Sequence, residues 1–229
     1  MIDLHCHILP GIDDGSPNME TSITMAEMAL KDGIHTIIAT PHLCAGLTRG
    51  AINDAVTKLQ EALNTARLDI TILSGAEVPS HMALAVAEEF CLAGNSFLLL
   101  EFPYNYLPSD SAIIIEKLLE RGITPVIAHP ERNLTIYSDP CRLAPLIDIG
   151  AQAQITAASL IGELGVNAKN CSEYLLKHNQ VHYLATDSHA PGFRKPMLSK
   201  AVKQAAKIIG KEQAIKLVTE NPAVATIKA

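Results

Sequence analysis

No lysine- or arginine-rich run occurs anywhere in the 229 residues, and 24 acidic against 18 basic side chains leave a net charge of −6. A basic face for nucleic acid is thereby excluded. No apolar stretch approaches the roughly 20 residues of a membrane span, and no basic-then-apolar leader precedes the first apolar run. The expectation is a cytoplasmic protein without membrane insertion. Cysteine is sparse and unpatterned: Cys6, Cys44, Cys91, Cys141 and Cys171 have no paired spacing. That fits reduced thiols, all five read as small buried side chains. Linkers, low-complexity tracts and internal repeats are absent. Aromatic residues make up 4 %, charged residues 18 % and apolar residues 48 %. A soluble chain of this length can form one large domain over residues 1–229, a size common for α/β barrels.

Several catalytic devices are missing too. A cysteine phosphatase needs a Cys-x5-Arg phosphate loop, and no cysteine has an arginine six positions on; Cys44 comes nearest, with Arg49 one position short. There is no Gly-x-Ser-x-Gly elbow and no Gly-rich Walker loop.

What is present is an alternation of short apolar runs and longer helical patterns. Strands are expected at 1–7, 36–40, 70–74, 97–100, 124–128, 151–156 and 181–185. Helices are expected from Ser16-Pro17 (Ser16 as N-cap) to near Gly33, and over about 51–66, 81–90, 111–121, 138–149, 169–178, 198–209 and 211–220. Strands joined by helical crossovers are parallel, and either a doubly wound sheet or a barrel would gather functional groups at the carboxyl ends of the strands. The metal-ligand residue types fall there: His5 and His7, His42, Glu77, Glu101, His129, Asp187 and His189, with Asp14 in the first loop. Only the strand at 151–156 lacks one. A barrel brings all strand ends to one rim, so the barrel is preferred.

His5 and His7, two apart on a strand, point the same way, which is half of a metal site. His35, His81, His178 and His182 lie elsewhere and are read as structural or solvent-facing. Eight or nine ligands exceed the needs of one ion and suit two or three divalent ions bridged by carboxylates. Three divalent ions against the four carboxylates of Asp14, Glu77, Glu101 and Asp187 leave two positive charges for a phosphate dianion. Clustered ions bring the pKa of bound water down from about 15.7 toward 7, so the expected chemistry is phosphoester hydrolysis by a metal-bridging hydroxide. Arg132 and Arg194 are placed to reach the same rim and hold phosphate, with Arg49 a weaker candidate. Mixed histidine and carboxylate ligands suit manganese, with iron or zinc as alternatives.

The run Met1-Ile2-Asp3-Leu4-His5-Cys6-His7 through Gly11-Ile12-Asp13-Asp14-Gly15 resembles the opening of the PHP (polymerase and histidinol phosphatase) superfamily. Ala39-Thr40-Pro41-His42, Gly75-Ala76-Glu77-Val78, Leu99-Leu100-Glu101-Phe102-Pro103, residues 127–132, 155–162 and 185–189, and Asn221-Pro222 continue the likeness in order. More closely the chain resembles the bacterial manganese-dependent tyrosine-protein phosphatases of capsular and exopolysaccharide operons. That resemblance implies a distorted (β/α)7 barrel, a PHP-type TIM-like fold with a trinuclear site. One ion would be held by His5, His7, Glu77 and Asp187; a second by Glu77, Glu101 and His129; a third by Asp14, His42 and His189. Glu101 stands where many superfamily members have histidine, which points to the tyrosine phosphatase branch. The implied substrate is a phosphotyrosine protein, a bacterial tyrosine autokinase that controls polysaccharide export. A small-molecule phosphoesterase, such as a histidinol-phosphate phosphatase, is the runner-up, and a non-catalytic regulatory module a distant third. Leu43, Ser188 and Ala190 depart from the family pattern, and the loops at 43–50 and 103–110 are short.

Overall fold

A computed structural model describes residues 1–226. Eight parallel strands carry the fold: β1 (Ile2–Cys6), β2 (Thr36–Ala39), β3 (Thr71–Ser74), β4 (Glu77–Pro79), β5 (Phe97–Glu101), β6 (Thr124–Ala128), β7 (Gln152–Thr156) and β8 (Tyr183–Ala185). One sheet runs β1-β2-β3, the other β4-β5-β6-β7-β8, every pairing parallel. Two bridges join the sheets: Cys6 at the end of β1 to Ser188 past β8, and His42 past β2 to Glu77, the first residue of β4. Backbone bonds from His7 N to Ser188 O (2.9 Å), Asp187 N to His5 O (2.8 Å) and Glu77 N to Pro41 O (3.0 Å) complete the closure. β3 is the strand expected at 70–74; β4 is not among the expected strands and continues it beyond Gly75-Ala76, so that the two count as one stave of seven in the α/β barrel foreseen. At the break only glycine fits: a Cβ on Gly75 would lie 2.8 Å from Leu92 and 3.0 Å from Ile38.

The barrel is filled rather than hollow. Leu4, Ile38, Leu99, Val126, Ala128, Tyr183 and Ala185 from β1, β2, β5, β6 and β8 form an interior cluster with Leu92, which lies in the turn before β5. This is the layered packing that parallel barrels require. The β1–β2 register shifts between Asp3 and Cys6. That bulge lets Leu4 fill the interior while the next residue, His5, reaches β7 across the barrel.

Helices pack outside the staves and bury the second, larger core. The first begins at Met19, not after Ser16: the cap is Asn18, whose side chain accepts from Thr21 N at 2.9 Å. Ser16 is buried and donates to Asn18 O instead. Asp32, just past that helix, closes the circle by accepting from Leu198 N (2.6 Å) and Ser199 N (2.8 Å) at the start of the helix Ser199–Ile209. The helix expected over 138–149 is three short pieces, Leu134–Ser138, Pro140–Leu143 and Ala144–Ile149, because Pro140 and Pro145 each restart the chain at a first turn. The last expected helix stops at Lys216, and a further one runs Glu220–Val224. Cys44 and Cys141 are exposed, contrary to expectation, while Cys6, Cys91 and Cys171 are buried.

Candidate metal centre

β1 ends in two imidazoles whose orientation is fixed from behind. His5 Nδ1 lies 2.9 Å from Gln154 Oε1 on β7, and His7 Nδ1 lies 2.6 Å from Asp13 Oδ2. Both partners are acceptors, so each Nδ1 carries a proton and Nε2 is the nitrogen left to take a cation, either a second proton or a metal ion. The two Nε2 atoms then face each other at 3.1 Å. Glu77 Oε2 lies 3.4 Å from both, and Asp187 Oδ1 lies 3.4 Å from His5 Nε2 and 3.3 Å from His7 Nε2. All four side chains are buried. Two ring nitrogens and two carboxylate oxygens aimed at one point repel one another unless positive charge, as protons or a metal ion, lies among them.

Glu77 is the hub. Its Oε1 accepts from His129 Nε2 at 2.7 Å. Its Oε2 is buried without a hydrogen-bond partner of sound geometry, although His42 Nδ1 is 2.9 Å away. Glu101 sits further out, 3.9 Å from both His129 Nε2 and His42 Nδ1. On the other flank, Asp14 Oδ1 lies 3.5 Å from His42 Nε2 and 3.4 Å from His189 Nε2, and the latter nitrogen is buried without a partner. Possible ligand atoms therefore converge in four overlapping groups: His7, Asp14, His42 and His189; His5, His7 and Asp187; His5, Glu77 and His129; His42, Glu77 and Glu101. All nine residues singled out in the sequence meet on this rim. The orphaned Glu77 oxygen and His189 nitrogen, and the facing Nε2 atoms of His5 and His7, fit divalent cations. His35, His81, His178 and His182 join none of these groups.

The local backbone is built for this. His129, Asp187 and Arg194 adopt positive φ of 33°, 49° and 53°, three of the six such non-glycine residues described. That conformation is costly for side chains with a Cβ and tends to mark functional sites. The loop after β1 folds back on itself through Ser16 N to His7 O (3.0 Å) and Gly11 N to Ser16 O (2.8 Å). Gly15 lies so close that a Cβ there would be 2.2 Å from His7 O. Asp3, buried in β1, accepts from Thr186 N at 2.9 Å and from the Thr186 hydroxyl, which binds β1 to β8 beside the site.

Electrostatics follow from the crowding. Burial by itself would raise Glu77 and Asp187, yet His5 and His129 hold Glu77, and His5 and His7 hold Asp187, well below the usual carboxylate range. Burial disfavours the charged forms of His5, His7 and His42, but Glu77 and other carboxylates at the site outweigh it and raise all three. Burial, His7 and Arg194 take His189 down to about 4. Glu101 is raised by burial and by Glu77.

Both arginines reach this rim. Arg132 Nη1 meets Asp187 Oδ2, Arg194 Nη2 meets Asp187 Oδ1, and Arg194 Nε donates to Asp187 O at 2.9 Å. Arg49 does not: it donates to Cys91 O and Ser74 O and braces the strand break instead. Three contributors escaped the sequence reading. Asp13 binds His7 and accepts from His42 N (3.0 Å) and Gly15 N (3.1 Å). Gln154 orients His5 from the one strand thought to lack a site residue. Asn133 ties the segment after His129 to the loop after β5. A buried polar residue inside an apolar strand was the available signal for Gln154.

The family profile described as capsular polysaccharide synthesis, CpsB/CapC, matches residues 1–226. The tyrosine-protein phosphatase YwqE of Bacillus subtilis is 36% identical over 228 residues, 96% of this chain and 89% of that protein. The tyrosine-protein phosphatase CpsB of Streptococcus agalactiae (serotype III) is 31% identical over 235 residues, 96% of each chain. A crystal structure from a study of YwqE and of Streptococcus pneumoniae CpsB, described as unique metal-dependent tyrosine phosphatases, superposes with a TM-score of 0.93 at 36% identity, over 99% of this chain and 94% of that one.

Proposed function

This chain belongs to the CpsB/CapC family of capsular polysaccharide synthesis, and from that premise we infer that it is a metal-dependent protein-tyrosine phosphatase, a phosphoric monoester hydrolase. We take residues 1–229 as one catalytic domain. Its ligand set is His5, His7, Glu77 and Asp187 for one ion, Glu77, Glu101 and His129 for a second, and Asp14, His42 and His189 for a third. The observation that carries this assignment is the pair of facing Nε2 atoms on His5 and His7, each ring fixed by a hydrogen bond from its Nδ1 behind. Manganese suits these ligands, with iron or zinc next.

Bound divalent ions supply Lewis-acid activation of water and neutralise charge on the phosphoryl group. The protein's own part is orientation and charge. Gln154 and Asp13 hold the two β1 histidines with Nε2 forward. Arg132 and Arg194, anchored on Asp187, present guanidinium groups at the rim where two phosphate oxygens can be held. The leaving phenolate, with an ordinary pKa of about 10, needs no dedicated general acid. The physiological substrate we propose is the phosphotyrosine of a tyrosine autokinase in polysaccharide export, met in the cytoplasm. No helix among the described residues is long and apolar enough to cross a membrane.

The test is the initial rate on phosphotyrosine and matched phosphoserine peptides with metal-stripped protein reloaded with Mn²⁺, Fe²⁺ or Zn²⁺. Turnover of phosphotyrosine alone, restored by one of these ions, is the expected result. Turnover of small phosphate esters in place of both peptides would move the assignment to the small-molecule branch.

A further inference from the structure

Of nine aromatic residues, five Tyr and four Phe, only Tyr104, Tyr106 and Phe193 are more than half exposed. All three sit in loops that leave the carboxyl ends of β5 and β8, the face that carries the metal centre. Exposed aromatics confined to one face mark a contact surface. Tyr104 lines two neighbouring cavities. A pocket of about 70 Å³ lies between Tyr104 and the ligand residues Glu101 and His129. A trough of about 340 Å³ continues beyond it, walled by Tyr104, Arg132, Tyr137, Leu164 and Val166. Tyr104 and Arg132 belong to both.

The inner pocket is too small for a phenyl ring, since a cavity that takes benzene measures about 150 Å³. The trough is large enough. Arg132 connects it to the centre, one guanidinium nitrogen meeting Asp187. A phosphate held at the rim would therefore place its ester-linked ring outward, over Arg132 and beside Tyr104. Guanidinium planes and tyrosine rings both stack on aromatic groups.

Tyr104 is exposed, yet its backbone is held firmly. Asn133 Nδ2 donates to Pro103 O (2.8 Å) and Tyr106 O (2.9 Å), Leu134 N donates to Tyr104 O (2.9 Å), and Leu107 N donates to Thr135 Oγ1 (3.2 Å). Asn133 is buried and its Oδ1 also caps the helix Leu134–Ser138. The segment that carries His129 and Arg132 thus fixes the loop that carries Tyr104. A side chain presented to solvent on a clamped backbone is preorganised for a ligand.

We propose that the trough between Tyr104, Arg132 and Val166 is the subsite for the aromatic ring of phosphotyrosine, with Tyr104 packed on the ring as the residue that selects tyrosine. The proposal rests on the tyrosine phosphatase reading above. It is tested with the Mn²⁺-loaded full chain, by the KM and kcat for a phosphotyrosine peptide and the Ki of inorganic phosphate as competitor. Two exposed positions are changed separately: Tyr104→Ala removes the stacking ring, and Val166→Trp fills the trough. Each should raise KM about tenfold, change kcat little and leave the Ki of phosphate within about twofold, because phosphate alone does not enter the trough. An unchanged KM in either variant, or a Ki of phosphate that rises in parallel, would overturn the proposal. A wild-type protein that binds phosphate but never turns over the peptide would instead overturn the phosphatase reading itself.

Discussion

The inner and outer halves of the metal centre are held in different ways. His5, His7, Glu77 and Asp187 are buried, and each has a fixed neighbour: Gln154 behind His5, Asp13 behind His7, His129 on Glu77, and two arginines on Asp187. Asp14 and Glu101 are another matter. The Asp14 side chain is 67% exposed and Glu101 is 29% exposed, and no hydrogen bond orients either carboxylate among those described. The inner half is fixed in place, whereas the outer carboxylates are not, and on the ligand assignment proposed above they would take up their geometry only with cations bound. Preorganisation lowers the cost of binding, so the inner position should fill first and hold its ion longest, while the outer positions exchange.

The sharpest way to break this contrast is to remove the hub. Glu77→Gln should lower kcat on phosphotyrosine by about 10³-fold and lower bound metal at more than one position, read by elemental analysis after gel filtration. Asp14→Asn should lower activity less, by about 10- to 100-fold, with one equivalent of metal lost and the others kept. Equal metal loss in the two variants would erase the distinction. Behind the inner half, Asp13→Ala and Gln154→Leu should weaken metal affinity about 10- to 100-fold, with activity recovering at saturating Mn²⁺.

A pH comparison sharpens the same point. In the metal-free protein His5, His7 and His42 bind protons above the ordinary histidine value. A raised histidine pKa contributes stability that is fully present below the unfolded value and is lost as pH rises through the folded one. The melting temperature of the EDTA-treated protein should therefore fall over the pH window that opens above the ordinary histidine pKa of about 6.5. Cations must displace the same protons, so the Mn²⁺-induced rise in melting temperature should grow over that window. A constant Mn²⁺ increment would mean the histidines do not ligate. The smallest effect belongs to the exposed thiols: Cys44→Ser and Cys141→Ser should leave kcat/KM within about twofold, as surface changes away from such features do.

The same contrast explains what could be read from the sequence. Chemistry-bearing residues at the ends of apolar runs are visible because strand ends of a parallel barrel share one rim, and His5, His42, Glu77, Glu101, His129 and Asp187 meet there. What supports them is not periodic. Asp13 and Asp14 are neighbours of one residue type, and only the fold of the loop, with Gly15 against the His7 backbone, turns one behind the ring and the other forward. Gln154 acts across the barrel, 149 positions from His5. The β1 bulge, the fit of Gly75 and the cap at Asn18 in place of Ser16 rest on local contacts, to which residue spacing is blind. Arg49 shows the reverse failure: its position suggested phosphate, and two nearby carbonyls claim it.

The most direct test of the two-part centre is a stepwise calorimetric titration of the metal-free protein with Mn²⁺, with activity on a phosphotyrosine peptide followed at each addition. The expected result is one tight binding step absent in His5→Ala, then weaker steps absent in Asp14→Asn, with turnover rising only as the weaker steps fill. A single class of equal sites, or full turnover reached with the tight step alone, would contradict the account.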